Sequence, residues 1–283
     1  MTKKLIECVP NISEGRDKKI IEKIVNEVRT VEGVELLDVD PGHATNRTVI
    51  TFVGEPDSVI KAAFLVIKKS SELIDMSKQL GEHPRMGSTD VCPLIPVSGI
   101  SMEEVNQYAL KLSKKVGEKL RIPIFLYENS AKHQTRKNLA NVRSGEYEGL
   151  DKKLKDPEWK PDFGSTDKEV YTKTGATAIG ARDFLIAYNI NLNTTSTRRA
   201  NAIAFDIREK GRIARKNNKL TGEILKDKNG KTIWKPGTLK HVKAIGWFID
   251  EYGISQISMN LTNINETPIH KVFDEVCEKA LKR

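Results

Sequence analysis

The sequence predicts an α+β protein made of two similar halves. Three observations carry that reading. Apolar residues recur at period two and at helical spacing along most of the chain. The order strand–helix–strand–strand–helix can be read twice. Hydrophobic residues make up 38% of 283 positions and charged residues 30%, enough for a packed core and short of the charge density of a disordered chain. Length alone suggests about two domains, or one domain of two halves.

Leu5 to Val9 reads as a short strand that stops at Pro10-Asn11. Ser13 to Asp17 opens a helix whose apolar face is Ile20, Ile21, Ile24, Val25 and Val28. Gly33 closes that region, and Val34 to Val39 and Arg47 to Val53 form two strands joined across Asp40 to Asn46. Glu55-Pro56-Asp57 starts the next helix, with proline suited to the first turn. Val91 to Val97 reads as a strand, and Ser101 to Leu120 as a helix with a Ser101/Glu104 capping box. Ile124 to Tyr127 is another short strand. In the second half, Phe184 to Leu192 is a strand and Ser196 to Lys210 an amphipathic helix. Ala244 to Ile249 and Ser255 to Asn260 are strands turning at Gly253, and Thr267-Pro268 starts a last helix. Each half has the order of a ferredoxin-like, split βαβ unit. Asp156 to Gly180, rich in Gly, Pro, Lys, Asp and Thr, reads as a linker or loop, which sets the two parts at 1–180 and 181–283. Lys210 to Lys243 reads as a long exposed loop.

Composition narrows the function. Lys and Arg number 47 against 38 Asp and Glu, a net charge of +9 that favours anionic partners: nucleic acid, an acidic membrane surface or a small polyanion. The three cysteines, Cys8, Cys92 and Cys277, form no CxxC pair, which argues against a disulfide framework and a structural zinc site. The N-terminus lacks the apolar stretch of a signal peptide, and no run of about 18 apolar residues exists. The plain reading is a reduced, soluble, cytoplasmic protein without a membrane partner.

Among single residues, His83 stands out. It lies in Gly81-Glu82-His83-Pro84-Arg85-Met86-Gly87, where glycine and proline fix an irregular backbone. Imidazole titrates near neutrality and can take a proton from an attacking amine and return it to a leaving one. The bland alternative is a solvated loop histidine. A second cluster is Asp38, Asp40 and His43, with Asn46-Arg47 following; Asp40 sits where a strand ends. Its spacing fits no standard zinc pattern, and turn chemistry alone explains Asp-Pro-Gly. A third, Glu7 to Arg16, reads as a capped helix start or as a carboxylate site at a helix N-terminus. Gly175 to Ala181 has a GxxxxGA spacing without the Lys-Ser/Thr of a phosphate loop, so nucleotide binding is not supported. Small residues there would let a flat ligand approach the backbone. Arg143 to Leu150 is a polar turn that alone carries no chemistry.

Taken together, several segments resemble one family, the glutamate formimidoyltransferases, which are also the transferase part of formimidoyltransferase-cyclodeaminase. The matching stretches include Glu7 to Gly15, Leu36 to Asp40, Thr45 to Val49, Ile74-Asp75-Met76 and Gly81 to Gly87. They continue through Asp90 to Pro93, Gly145 to Glu148, Pro161 to Gly164, Gly175-Ala176, Asn189 to Leu192 and Ala244 to Trp247. Any one is weak; their joint order is specific. The resemblance implies a duplicated ferredoxin-like fold with mixed sheets facing each other, a folate tunnel between subdomains, and a homodimer. It implies tetrahydrofolate as co-substrate and no metal. It gives the catalytic role to His83 and folate contacts to the region of Phe163, Gly164 and Gly175, although Ser165 to Lys173 departs from the family pattern. The chain ends at Arg283 without room for a cyclodeaminase domain, so a stand-alone transferase with a separate cyclodeaminase as functional partner is expected.

The expected reaction moves a formimidoyl group from N-formimidoyl-L-glutamate to tetrahydrofolate, a step of histidine degradation. A cationic amidine wants a carboxylate, for which Asp40 is the first choice and Glu82 the second. The substrates' carboxylates want cations, for which Arg47 and Arg85 are candidates. Formyl exchange between 5-formyltetrahydrofolate and glutamate is the nearest rival. A nucleic-acid-binding protein is a rival of another class, but aromatics are only 6% and no exposed aromatic strand motif appears. A metalloenzyme using Asp40, His43 and His83 is a third.

Overall fold

The computed structural model describes residues 2–81, 83–218 and 222–283; Glu82 lies outside them. The first of its two units runs to Arg182. It reads β1 (Leu5–Cys8), β2 (Asn11–Ile12), α1 (Lys18–Arg29), β3 (Val34–Gly42), β4 (Arg47–Gly54), α2 (Pro56–Leu73), β5 (Thr89–Ser98) and α3 (Met102–Leu120). Then follow β6 (Ile124–Leu126), α4 (Leu139–Val142), α5 (Leu150–Leu154), α6 (Lys168–Thr174) and β7 (Thr177–Ala181).

The helices form where the spacing predicts. Ile21, Ile24, Val25 and Val28 bury one face of α1, and the Asp17 carboxylate caps it by accepting from the Lys19 and Ile20 N–H groups. Both hydrogen bonds of the Ser101/Glu104 capping box are present on α3. The apolar faces of α1, α2 and α3 close over Ile6, Cys8, Ile50, Phe52 and Leu94 on one side of the sheet.

Sheet order is β3–β4–β1/β2–β5–β7–β6. β1 and β2 act as one strand broken at Val9-Pro10, since Cys8 pairs with Phe52 and Asn11 with Val49 in a single register. The first four positions give the complete ferredoxin-like order, all antiparallel; β7 and β6 extend it in parallel.

β7 overturns the reading of Asp156 to Gly180 as a linker. Those residues contain α6 and most of a strand buried along its whole length between β5 and β6. A strand buried on both faces carries no alternation to read, and the small residues of Thr177–Ala181 imitate a loop. Gly180 belongs there because a Cβ would stand 2.2 Å from the Tyr127 carbonyl oxygen.

The face away from α1–α3 is divided. Over β5, β7 and β6, residues of the 127–176 excursion cover it, with Val142, Leu150 and Tyr171 packed on Val91, Phe125 and Ala178. Toward β3 and β4 it carries Asp38, Asp40, Arg47, Val49 and Thr51, all at least partly exposed. A bulge at Leu37 keeps Asp38 opposite Thr51 and Asp40 opposite Val49.

The second unit, Asp183–Arg283, reads β8 (Ile186–Asn191), α7 (Thr197–Ile207), β9 (Arg212–Ile213), β10 (Trp234–Lys235), β11 (Val242–Ile249), β12 (Ile254–Leu261) and α8 (Ile269–Leu281). Its sheet, β11–β12–β8, is wholly antiparallel. The order is that of a split βαβ unit without the fourth strand. α7 and α8 bury Ile203, Ile207, Val272 and Val276 against Ile190, Ile257 and Met259. The segment expected as an exposed loop carries the small β9–β10 ribbon. Among the described residues, no helix is long and apolar enough to cross a membrane.

Candidate active site

The segment from Gly81 to Gly87 is pinned at both ends. A Cβ on Gly81 would lie 2.3 Å from the Thr45 carbonyl oxygen, and one on Gly87 would lie 2.2 Å from that of Ala176. Only glycine permits either approach. Asn46 supports the first end in a left-handed conformation at φ 47°. Its amide accepts from the Gly15 N–H and donates to the Leu80 carbonyl, both at 3.0 Å. At the second end Gly87 bridges to Gly175, and the Ser13 hydroxyl donates to the Gly87 carbonyl at 2.8 Å.

His83 sits half-buried inside this frame. Its Nδ1 lies 2.7 Å from the Pro84 carbonyl oxygen. A carbonyl only accepts, so Nδ1 carries the hydrogen and Nε2 keeps the lone pair. Burial, then the neighbouring Arg47 and Arg143 guanidinium groups, push the imidazole down to about 4, against smaller opposing effects of Asp90 and Pro84. The ring is therefore a neutral base at ordinary pH.

Arg47, at the start of β4, is pushed down to about 10 by burial and by Arg143, while Asp90 and Asp40 oppose the shift. Its Nε is buried without a hydrogen-bond partner among the described residues. Asp40 is exposed on the same sheet face as Arg47. The structure thus brings His83, Arg47 and Asp40 into one electrostatic neighbourhood.

Two residues that sequence reasoning missed complete it. Asp90 is 1% exposed; one carboxylate oxygen accepts the Met86 N–H at 2.9 Å and the other pairs with Arg143. Arg143 belongs to the polar turn that alone suggested no chemistry, and only the fold brings it to β5. Glu7, which the sequence marks, lies on the open face of β1, where burial holds it above the usual carboxylate range, with Arg182 opposing.

Arg85 does not join the cluster. It is buried, donates to Glu148 at 2.7 Å and to the Gln79 carbonyl at 2.8 Å, and pairs with Glu146 at 3.5 Å. Its charge is taken up in holding the loop, within reach of two carboxylates. The Tyr147 N–H also donates to the Arg85 carbonyl at 2.9 Å. Arg143 to Glu148 is therefore a clasp over the His83 segment.

Phe163 and Gly164 stand elsewhere, on the outer edge of the first sheet. Phe163 bridges to Ile124 of β6, and both residues pack against Gly117 of α3. Gly164, at φ +88°, is required because a Cβ would meet the Ile122 carbonyl oxygen at 1.9 Å. Gly175 does lie beside the motif, but the backbone it admits is the protein's own: a Cβ would stand 2.2 Å from the Met86 carbonyl oxygen. Arg16 donates from Nε to the His43 carbonyl at 3.0 Å. Among the described residues, no group of three or more His, Cys, Asp or Glu is placed to hold a metal ion.

In the second unit, the sheet face away from the helices carries a polar ladder across all three strands. Trp247 Nε1 donates to Gln256 at 2.9 Å, and the Gln256 amide donates to Asn191 at 2.8 Å. Asn189-Ile190-Asn191 and Gly246-Trp247 are segments the sequence had already marked. Gln256, the central rung, was not anticipated.

Residues 5–182 match the family model described as the formiminotransferase domain, N-terminal subdomain, and residues 187–283 match that of the formiminotransferase domain. The chain belongs to the formiminotransferase family. Glutamate formimidoyltransferase of Thermoplasma acidophilum is 42% identical over 98% of this chain and 83% of its own length. The protein of the same name from Streptococcus pyogenes is 38% identical over 96% of this chain and 82% of its own. Formimidoyltransferase-cyclodeaminase of Dictyostelium discoideum is 48% identical over 98% of this chain. This formiminotransferase-family chain spans about half the length of that larger relative, 48%.

Proposed function

We propose that the chain transfers the formimidoyl group of N-formimidoyl-L-glutamate to nitrogen 5 of tetrahydrofolate. The observation that carries this reading is the neutral His83, with its Nε2 lone pair available, inside a chain of this family. Nitrogen 5 attacks the amidine carbon and a C–N bond forms. His83 Nε2 takes the proton that nitrogen 5 sheds. The bond from that carbon to the glutamate nitrogen breaks, and His83 returns the proton to the departing nitrogen. Such proton transfer contributes on the order of 100- to 10,000-fold. Holding both substrates together adds proximity.

Asp40 faces the cationic amidine. Glu82, the second choice for that role, lies outside the described residues. Arg47 meets a substrate carboxylate, and Arg143 is a second cation there, steadied by Asp90. The proposal extends to a cytoplasmic homodimer with subdomains 1–180 and 181–283. It uses tetrahydrofolate as co-substrate without a metal and passes its product to a separate cyclodeaminase. The folate contacts expected at Phe163, Gly164 and Gly175 stay part of the proposal, beside the packing these residues make within the first unit.

The test is an assay of purified protein with tetrahydrofolate and either N-formimidoyl-L-glutamate or, in reverse, 5-formyltetrahydrofolate with glutamate. Formimidoyl transfer is expected to be the faster, and Asp40→Asn should raise KM for the formimidoyl donor. Turnover with the formyl pair alone would replace the reading by formyl exchange; turnover with neither would reject it.

A further inference from the structure

The second unit holds a cavity unrelated to any residue used above. Its volume is about 570 Å³, inside the roughly 300–1,000 Å³ range of small-molecule sites. Its walls come from α7, between its cap Ser196 and Phe205, from Arg212 of β9 and from the residues that follow α8, all within that unit. Arg198, Arg199, Arg212, Lys282 and Arg283 line it, with the ring of Phe205 among them.

The charges do not cancel. Asp206 holds Arg212 on one carboxylate oxygen and Arg283 on the other, and Glu278 holds Lys282. Five side-chain cations thus face two side-chain carboxylates. Arg198 and Arg199 are exposed and have no acidic partner among the described residues. The double grip of Asp206, with a 2.7 Å bond from Arg212 to the Ala202 carbonyl, fixes one wall in advance of any ligand. The opening of α7 carries partial positive charge and the end of α8 partial negative charge, so the excess of positive charge rests on the side chains.

We propose that this cavity binds a small polyanion, a molecule with two or more phosphate or carboxylate groups. Guanidinium forks match both groups bidentately. Convergence of the cations on one concavity suits a compact ligand better than an extended polymer, which would need a stripe of charge.

Isothermal titration of the full chain with pyrophosphate and, separately, citrate at about 0.15 M salt tests it. Saturable binding of at least one probe, one per chain, is expected, and the tighter arm identifies phosphate or carboxylate as the source. Arg198→Ala with Arg199→Ala should weaken that binding at least about tenfold. Both positions are exposed, so the thermal melt should stay unchanged; Arg198→Lys with Arg199→Lys should recover part of the affinity. The charge-matched Lys18→Ala, Lys19→Ala variant in the first unit should bind as the parent does. The proposal fails if neither probe saturates, if the arginine variant binds as tightly as the parent, or if the lysine variant loses as much.

Discussion

Pro84 decides which nitrogen of His83 carries the hydrogen. By accepting from Nδ1 it leaves the Nε2 lone pair free, and burial, followed by two nearby guanidinium groups, keeps the ring unprotonated. His83→Ala is expected to lower kcat by about 100- to 10,000-fold while folate affinity stays within about threefold. Near-normal turnover would remove the residue from the mechanism. The electrostatic part has its own readout, independent of activity. In a histidine-labelled sample, the His83 ring should titrate with a midpoint of about 4. Arg143→Gln should move that midpoint up toward the ordinary value of about 6.5, because a cation opposing protonation is gone. A parent midpoint near 6.5 would sink the account.

Between residues and fold lies the clasp, where a buried cation meets exposed anions. Arg85 is buried, whereas Glu148 is more than half exposed. Arg85→Ala leaves Glu148 in water but empties a packed site and frees the loop; Glu148→Gln leaves Arg85 its bond to the Gln79 carbonyl. Denaturant titration should therefore show a loss of about 2–4 kcal/mol for Arg85→Ala and about 1 kcal/mol or less for Glu148→Gln. Equal losses would mean that the ion pair, not the enclosure, holds the segment. The same clasp marks how far the sequence could be read. α1 and α3 were legible because each buries one face and is capped by its own neighbours. His83 stands out in the sequence because glycine and proline bracket it. Asp90 and Arg143 do not, since their pairing joins residues 53 apart and neither carries a local sign of the other. The pairing of Arg85 is hidden for the same reason: its acidic partner lies 63 residues on. β7 was lost because burial on both faces erases the period that identifies a strand.

For the molecule as a whole, the depressed imidazole couples acidity to stability. Folded His83 titrates at about 4, below the unfolded value of about 6.5. As pH falls through that window the unfolded chain takes the proton first. The contribution is complete above about 6.5 and lost as pH drops through the folded value. The melting temperature of the parent should therefore fall more steeply from pH 6.5 to 4 than that of His83→Asn; parallel curves would show that other groups govern the acid limb. The route by which Gly87 meets Gly175 has a further consequence, one of timing. Ser13 and Gly87, 74 residues apart, belong to the early part of the chain, but their frame is finished only by α6 and β7. During synthesis the histidine segment emerges long before the residues that close over it. Contacts of such sequence separation are slow to form. Refolding should recover helix signal first and protection of the Ser88 amide, which donates to the Thr174 carbonyl, last, so that the chain is largely folded before it is competent.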